Sequence, residues 1–454
     1  MMRDDVGETS ISKVSPRAWL SLAILVLFSA LSFLDRQILS MMVDLIRRDL
    51  HIDDVQISML MGLSFALVYA VLALVMGGFV DRYPRRLVIY AGVSLWSLAT
   101  ASCALATSFE GLFLSRMAVG IGEATLVPAA YSLLTDLYPR HRLSLAMAIF
   151  SVGMIVGAGV SMGFGGVLIS YFSAQHSLVV PVLGTLSAWQ AVFLTIGLPG
   201  LFLAMLAFTL SEPPRTGLPS AGANLSWQKV LWHLVERRQF WAAVFLSFAP
   251  SGVLANAVLL WGPAYFSRNF GWSPAQVGAA IGGVAAIAGG GGQLFAGWFV
   301  DRMFARGRQD AHFRYFGFTV FASIPVLVLA FLVPDPYFNL ACLTVPFFLL
   351  FANTGYAAAI VQMTTPAEYR GRVGGIFVIL IMLPGLVIGP SLVAMISTNL
   401  FGDQSGLGDS IAVCAVVLAP IMIYGAVLGQ RVTSGPRHWG QRSKNRCTSA
   451  SESV

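Results

Sequence analysis

Twelve apolar stretches, each long enough to cross a bilayer, dominate the 454-residue sequence. A membrane-spanning helix needs roughly 20 consecutive apolar residues, because the hydrocarbon core of a bilayer is about 30 Å thick. The chain is 57% hydrophobic and 11% charged, whereas a soluble domain carries about 25% charged residues. The sequence therefore predicts an integral membrane protein and excludes a soluble globular domain.

The apolar stretches form two groups of six. The first group is predicted over residues 19–43, 55–80, 87–106, 111–134, 143–172 and 189–210. The second group is predicted over residues 240–266, 274–300, 313–333, 337–363, 373–400 and 411–428. The predicted domain organisation is a tail, a six-helix bundle, a polar linker, a second six-helix bundle and a second tail, over 1–16, 17–210, 211–239, 240–430 and 431–454.

Positive charge is concentrated on one side of the predicted bundle. Most of the 28 Lys and Arg residues lie in the tails, the linker and the loops of one side, whereas Arg47, Arg48 and Arg268 lie on the other. Positively charged loops remain in the cytoplasm, so both termini are predicted to be cytoplasmic. The same rule explains the formal net charge of +7 without a nucleic-acid partner. Tight loops and no appended domain favour a bacterial inner membrane.

An internal repeat relates the two groups of spans. Gly77-Gly-Phe-Val-Asp81-Arg82 closes the second span, and Gly297-Trp-Phe-Val-Asp301-Arg302 closes the eighth. Duplicated transporters bind their substrate near the bilayer midplane, between the two halves. The sequence thus predicts an all-α membrane protein, with twelve transmembrane helices in two pseudo-symmetric six-helix halves.

Four charged residues, Asp35, Arg36, Arg116 and Glu123, lie deep within apolar spans of the first half. Such charges cost about 2.5–3.5 kcal/mol each near a helix centre, and they usually face a cavity or a partner. Arg116 and Glu123 are seven residues apart and therefore share a helix face. Asp35 and Arg36 are about 100° apart on their helix and point in different directions. From their heights in the bilayer, we predict that Asp35 and Arg116 pair in one state of a transport cycle.

These four charges predict proton coupling. Burial disfavours the charged form of a carboxylate, and a nearby guanidinium favours it. A carboxylate takes up a proton when its Arg partner moves away or binds an anionic substrate. Asp35 and Glu123 are the predicted proton-coupling residues, and Arg36 and Arg116 are predicted to bind substrate or to act as counter-charges. The alternative is a permanent ion pair that only orders the helices.

The predicted substrate is an amphipathic or anionic organic solute, because guanidinium groups bind carboxylates and phosphates. If Asp35 and Glu123 neutralise both arginines, the site is instead close to neutral. Polar and aromatic side chains of the second half are predicted either to line the facing side of the cavity or to bond neighbouring helices. They are Asn256, Trp261, Gln293, Asn353 and Tyr356.

These motifs resemble the major facilitator superfamily. Residues 77–86 are similar to its Gly-x-x-x-Asp-Arg-x-Gly-Arg-Arg loop, with Pro84 in place of the second Gly. The Asp35-Arg36 pair, Leu95-Trp96-Ser97 and Arg116-x-x-x-Gly-x-Gly-Glu-Ala124 resemble the Spinster-like branch. The anion:cation symporter branch, with an Asp-Arg in its first span and a Glu-Ala in its fourth, is the nearest alternative.

The resemblance implies alternating access by rocking of 17–210 against 240–430. In the superfamily, the two Asp-Arg loops clasp the halves together in the outward-open state, which implies gating residues in both loops. They are Asp81, Arg82, Arg85, Arg86, Asp301, Arg302 and Arg306. Eukaryotic Spinster relatives are associated with sphingolipid and lysophospholipid export, which implies a lysolipid-like substrate as one alternative.

The remaining expectations concern partners and competing classes. We expect no cofactor and no metal, a monomer, and as partners a small-molecule substrate, protons and membrane lipids. A membrane enzyme or receptor would need a nucleophile–base group, a metal cluster or a sizeable extramembrane domain, and the sequence shows none. Within transport, a proton-independent facilitator and an organic-anion:proton symporter are the alternatives.

Overall fold

The fold is an all-helical membrane bundle, seen in a computed structural model. The structure describes residues 15–175, 178–180, 184–214, 227–366, 370–402 and 406–434. Ten helices of this part are long and apolar enough to cross a bilayer. The two further long helices, α2 and α5 below, bring the number to twelve in the part of the chain that is described. The predicted fold class is confirmed.

The first half contains six transmembrane helices, with a short helix (Val43–Leu50) after the first and a small hairpin before the last. Their bounds are α1 Pro16–Gln37, α2 Asp54–Ser58 continued by Met59–Leu63 and Ser64–Arg82, α3 Arg85–Cys103, α4 Phe109–Glu123 and Leu126–Leu137, α5 Arg140–Ser173, and α6 Ala188–Ala204. The hairpin pairs β1 (Leu178–Val180) with β2 (Gly184–Leu186) in antiparallel register.

The second half begins with a helix at Trp227–Glu236, which we call the linker helix, and then repeats the six-helix pattern. The bounds are α7 Arg238–Phe270, α8 Pro274–Val284 continued by Ala285–Gly289 and Gly290–Ala305, α9 Ala311–Leu332, α10 Pro336–Leu349 and Thr354–Thr364, α11 Arg370–Ile396 continued by Ser397–Phe401, and α12 Leu407–Thr433. We call the end of the bundle that carries Pro16, Thr433 and the linker helix the linker end, and the other the opposite end.

The two halves share irregularities that the sequence did not predict. A π-helical turn interrupts α2 at Met59–Leu63 and α8 at Ala285–Gly289. The fourth and tenth helices are broken after Glu123 and after Leu349. Such interruptions in membrane helices are tolerated where neighbouring helices satisfy the freed backbone groups, and they often mark functional sites. The pseudo-symmetry therefore extends to the positions where the helices deviate from regular geometry.

Side-chain caps define where helices start at the opposite end. Each cap accepts a hydrogen bond from the backbone N–H three residues further on, which satisfies one of the free donors of the first turn. The capping residues are Asp53, Ser108, Ser273 and Asp335, which begin α2, α4, α8 and α10.

Small residues allow the two halves to pack closely where α5 meets α8. A Cβ atom at Gly159 would lie 2.5 Å from the carbonyl oxygen of Gly282, and one at Gly278 would lie 2.3 Å from that of Met162. Such distances are below van der Waals contact, so the two backbones touch here only because these positions lack side chains.

Ion pairs close the opposite end across the two halves. Arg268, in the last turn of α7, donates to both carboxylate oxygens of Asp54 at 2.8 and 3.0 Å and to Asp44 at 2.9 Å. Arg47 lies 3.5 Å from the same Asp54 carboxylate. The Ser58 hydroxyl also lies 3.4 Å from the Ser391 hydroxyl of the second half, at the same end. We call Arg268, Asp44 and Asp54 the opposite-end latch.

Several boundaries differ from the prediction. The first predicted span ran to residue 43, whereas α1 ends at Gln37 in a 3-10 turn and a separate helix begins at Val43. Spans 111–134 and 337–363 were predicted as continuous helices, and each is broken. The predicted polar linker contains the linker helix, while residues 1–14, 215–226 and 435–454 of the tails and linker lie outside the described residues. Hydropathy detects the length of an apolar run but not its local geometry.

Candidate functional site

Two glycines position Glu123 against the neighbouring helices. A Cβ atom at Gly120 would lie 2.8 Å from the carbonyl oxygen of Phe65 on α2, and one at Gly122 would lie 2.6 Å from the backbone nitrogen of Trp96 on α3. Because both positions lack a side chain, α4 packs directly on α2 and α3. Glu123, the last residue before the break in α4, is thereby buried to 1% exposure.

The Glu123 carboxylate is held by α1. The Nε of Arg36 donates to Oε2 at 2.6 Å, its Nη2 lies 2.6 Å from the same oxygen as an ion pair, and the Ser32 hydroxyl also donates to it at 2.6 Å. The other oxygen, Oε1, is buried and has no hydrogen-bond partner among the described residues. The carboxylate is therefore charge-paired but not saturated with hydrogen bonds.

Aromatic side chains surround the guanidinium of Arg36. Its central carbon lies 4.4 Å from the ring centroid of Phe65, 5.1 Å from that of Tyr69 and 5.4 Å from that of Phe33. Guanidinium groups are attracted to aromatic faces within about 6 Å. The side chain of Arg36 is 24% exposed, whereas that of Glu123 is fully buried. Arg36 is thus the accessible member of the ion pair.

Asp35 and Arg116 lie side by side but are not paired in this conformation. Arg116 is fully buried, and its Nη1 donates to the main-chain carbonyl of Asp35 at 2.9 Å rather than to the carboxylate. Its Nε and Nη2, and Oδ1 of Asp35, have no hydrogen-bond partner among the described residues. The predicted Asp35–Arg116 pair therefore remains a prediction for another state, with both partners already adjacent.

The four charged residues form one cluster at the junction of α1 and α4. One pair, Arg36–Glu123, is neutralised, and the second contains a buried carboxylate and a buried guanidinium with unused hydrogen-bonding capacity. Charges buried without full compensation are costly. Such an arrangement is chemically suited to exchange partners or to take up a proton.

Four of the five predicted residues of the second half form side-chain hydrogen bonds, either to another helix or to their own. The indole of Trp261 is fully buried and donates to the Pro390 carbonyl at 2.9 Å. Asn353 donates to Ser251 at 2.8 Å, and the amide of Gln293 lies 2.9 Å from the Thr354 hydroxyl. In this conformation Trp261 joins α7 to α11, Asn353 joins α10 to α7, and Gln293 joins α8 to α10.

The other two predicted residues differ in how their polar groups are used. Asn256, partly buried, donates to the carbonyl of Gly252 on its own helix at 2.9 Å. Tyr356 is buried among aromatic rings, and its hydroxyl has no hydrogen-bond partner among the described residues. Whether any of the five contacts substrate remains a prediction.

The predicted gating residues divide into buried and exposed groups. Arg85 is buried to 1% exposure, whereas Arg82, Arg86, Asp301, Arg302 and Arg306 are exposed. The side chain of Asp81 is outside the described part of the structure. A gating role for these residues at the linker end remains a prediction.

Arg85 acts as a clamp between α3, the end of α4 and the segment that follows α6. It forms a short ion pair with Asp136 near the end of α4 and donates to the Pro213 carbonyl, after α6, at 2.7 Å. Its backbone N–H donates to Glu212 at 2.5 Å. Sequence reasoning assigned Arg85 to a gate between the halves but did not identify Asp136 or Glu212 as its partners.

Replacing Arg85 is expected to destabilise the first half strongly. Arg85→Ala removes the guanidinium that pairs with the Asp136 carboxylate, whose side chain is 7% exposed, and breaking a buried pair costs about 3–5 kcal/mol. Arg86→Ala is the matched control. Arg86 is half-exposed, and its Nε lies 3.6 Å from a Glu212 carboxylate oxygen. Exposed ion pairs of this kind contribute about 0–1 kcal/mol. Thermal unfolding of the purified variants in detergent measures the difference, and equal melting temperatures would contradict the clamp.

Ser32, Phe65, Tyr69 and the opposite-end latch were not predicted from the sequence. Ser32 lies four residues before Arg36, so helical spacing places both on one face of α1. Phe65 and Tyr69 have the same spacing on α2, but nothing in the sequence relates α2 to Arg36. Within the described residues, no group of His, Cys, Asp and Glu has the geometry of a metal site.

The sequence profile of the Major Facilitator Superfamily matches residues 25–390. The chain belongs to the Major Facilitator Superfamily. It is a multi-pass integral membrane transporter rather than an enzyme. It folds like a bacterial homologue of the human lysosomal transporter Spinster, solved in an inward-facing, unoccupied conformation. The TM-score is 0.78 at 21% identity, over 93% of this chain and 98% of that one.

Two curated transport proteins resemble most of the chain, and Spinster proteins resemble part of it. An MFS-type efflux pump of Mycolicibacterium smegmatis is 26% identical over 90% of this chain and 91% of its own length. A hexuronate transporter of Bacillus subtilis is 25% identical over 90% of this chain and 95% of its own length. Protein spinster homolog 1 of Xenopus tropicalis is 30% identical to this chain. The matched region covers 54% of this chain and 45% of the Xenopus protein. The predicted Spinster-like resemblance is supported.

Proposed function

We propose that this transporter couples proton movement to the transport of an organic solute with an anionic or zwitterionic group. The observation that carries the proposal is the fully buried Glu123 carboxylate, bound by the partly exposed Arg36 and by Ser32. The two partners differ in access, because the guanidinium is partly exposed and the carboxylate is not, so a solute that reaches the pair contacts the guanidinium first. Binding of solute and protonation of Glu123 are thereby linked.

The coupling step is an exchange of partners at Arg36. An anionic group on the solute takes hydrogen bonds from the guanidinium, and Glu123 loses its counter-charge. A buried carboxylate without a counter-charge favours the protonated form, so solute binding is accompanied by proton uptake. Asp35, buried beside Arg116 with Oδ1 free, is the second proton-accepting group of this cluster.

An apolar groove favours a solute with an apolar body. The groove has a volume of about 470 Å³ and is lined only by apolar side chains. It lies between α2, through Leu67 and Val71, and α11, through Leu383 and Val387. Because α2 also carries Phe65 and Tyr69, one helix joins the groove to the Arg36 cluster. A single-chain lipid such as a lysophospholipid fits this combination, and small organic acids such as hexuronates use only its charged part.

We infer that the present conformation opens at the linker end. The latch and the Ser58–Ser391 contact join side chains of the two halves at the opposite end, whereas Arg82, Asp301 and Arg302 at the linker end are exposed. With both termini in the cytoplasm, as the positive charges favour, this state is inward-open. The protein then works as a monomer in a bacterial inner membrane by rocking 17–210 against 240–430.

Purified protein in liposomes tests the coupling directly. We expect galacturonate, L-galactonate or lysophosphatidylcholine to accumulate when a pH gradient is imposed, and an interior pH dye to report proton movement with the solute. Counterflow exchange without a gradient gives the coupling-free rate. Exchange of a probe with neither accumulation nor proton movement would contradict proton coupling and identify a facilitator.

A further inference from the structure

The linker helix, Trp227–Glu236, has three distinct faces. At about 100° per residue, Val230, Leu234 and Arg237 fall on one face and Lys229, His233 and Glu236 on a second. Gln228, Leu231, Trp232 and Val235 form the third face. The first face packs on the protein, since Val230 is fully buried and Leu234 contacts the core of the second half. The second face is polar.

Apart from Gln228, the third face consists of exposed apolar side chains. Leu231 is 54% exposed, Trp232 is 66% exposed and Val235 is 58% exposed. These side chains lie side by side on one surface, and a contiguous exposed apolar patch marks an interaction site rather than ordinary surface. A ten-residue helix with one polar and one apolar exposed face is typical of segments that lie at a membrane surface.

The length of the following helix indicates that the linker helix lies near the edge of the bilayer. It is followed after one residue by α7, whose 33 residues measure about 50 Å at 1.5 Å per residue. This exceeds the total bilayer thickness of about 40–45 Å, so a helix that crosses the bilayer over this length reaches the headgroup layers at its ends. Arg237, at the junction, donates to the Thr364 carbonyl at the end of α10 at 2.6 Å. The helix is thus tied against the bundle at that depth.

We propose that the linker helix lies in the interfacial layer of the bilayer, with Leu231, Trp232 and Val235 inserted among the lipid chains. The proposal concerns how the linker is held and does not depend on the transported solute. The indole N–H of Trp232 donates to Glu236 at 3.1 Å, so its polar atom is satisfied when the ring is surrounded by lipid. Tryptophan is also enriched at this depth of membrane proteins.

The polar face meets the headgroups. Burial, and then the charge of Arg237, lower the pKa of His233 below its ordinary value, so this imidazole is neutral near pH 7. Lys229 and Arg238 are exposed and are the cations available to lipid phosphates. Insertion is therefore driven mainly by Leu231, Trp232 and Val235, and we expect it to change little with pH between 7 and 8.

Spin labels test the proposal without any transport assay. Trp232→Cys, Val235→Cys and, as matched control on the polar face, Lys229→Cys are labelled in a chain with Cys103, Cys342, Cys414 and Cys447 changed to Ala. In phosphatidylcholine/phosphatidylglycerol liposomes, labels at 232 and 235 are expected to collide more with oxygen than with a water-soluble nickel chelate, and the label at 229 the reverse. Preference for nickel at 232 and 235 overturns the proposal. Low access to both reagents also overturns it, because these positions are then covered by protein.

A second measurement keeps the native cysteines. Brominated lipids quench tryptophan fluorescence only in contact, so wild-type protein is expected to lose more fluorescence than Trp232→Phe when the liposomes contain them. Equal loss in the two proteins places Trp232 away from lipid and overturns the proposal. Because neither readout uses substrate, failure here is distinguishable from failure of the proposed function.

Discussion

Glu123→Gln is expected to abolish proton-driven accumulation of substrate while counterflow exchange continues. The amide keeps the size of the side chain and can still accept hydrogen bonds from Ser32 and Arg36, but it neither carries a charge nor takes up a proton. Loading and release of solute by rocking of the halves then persist without coupling. Accumulation and counterflow are measured in the same liposome preparation, so the ratio of the two rates is independent of protein yield.

Two further variants make this result specific. Glu110→Gln is the matched control, because Glu110 lies on the same helix, in its exposed first turn, and its accumulation should equal that of wild type. Asp35→Asn separates the two carboxylates, with partial loss expected if Asp35 is the second proton acceptor. If Glu123→Gln accumulates substrate like wild type, Glu123 is a structural charge and the coupling scheme is wrong.

Arg268→Ala is expected to open the opposite end. The variant removes the α7 member of the latch and leaves Asp54, whose side chain is 6% exposed, with the 3.5 Å ion pair to Arg47. Breaking a buried ion pair costs about 3–5 kcal/mol. The lower value, about 3 kcal/mol, corresponds to a shift of more than about a hundredfold in the conformational equilibrium. The shift is measured as the distance between two spin labels, one on α1 and one on α7, both placed at the opposite end of the bundle.

Arg48→Ala is the control for the latch. Arg48 lies one residue after Arg47 in the same short helix and is exposed, so its removal should leave the distance distribution unchanged. The exchanged pair Asp54→Arg with Arg268→Asp should restore part of the closed population. A distribution that is identical in wild type and Arg268→Ala would exclude the latch as a determinant of closure.

The charge cluster illustrates how far sequence reasoning reaches. Asp35, Arg36, Arg116 and Glu123 are recognisable because charges in an apolar span are costly and therefore need a reason. Their membership of one cluster is largely predictable, because the direction of each span fixes their heights. The observed pairing was not predictable. The expected partner of Arg116 was the Asp35 carboxylate, whereas in the structure Arg116 donates to the main-chain carbonyl of Asp35.

The sequence by itself determined the twelve spans, the two related halves and the four intramembrane charges, because each follows from the cost of polar groups in lipid. Only the tertiary structure decided that Arg36 binds Glu123, that Arg85 holds Asp136, and that Arg268 closes one end. These pairs join helices far apart in the chain, and rotation of a helix by one residue, about 100°, changes the partner. Helix rotation is set by close contacts such as those at Gly120 and Gly122, which hydropathy does not encode.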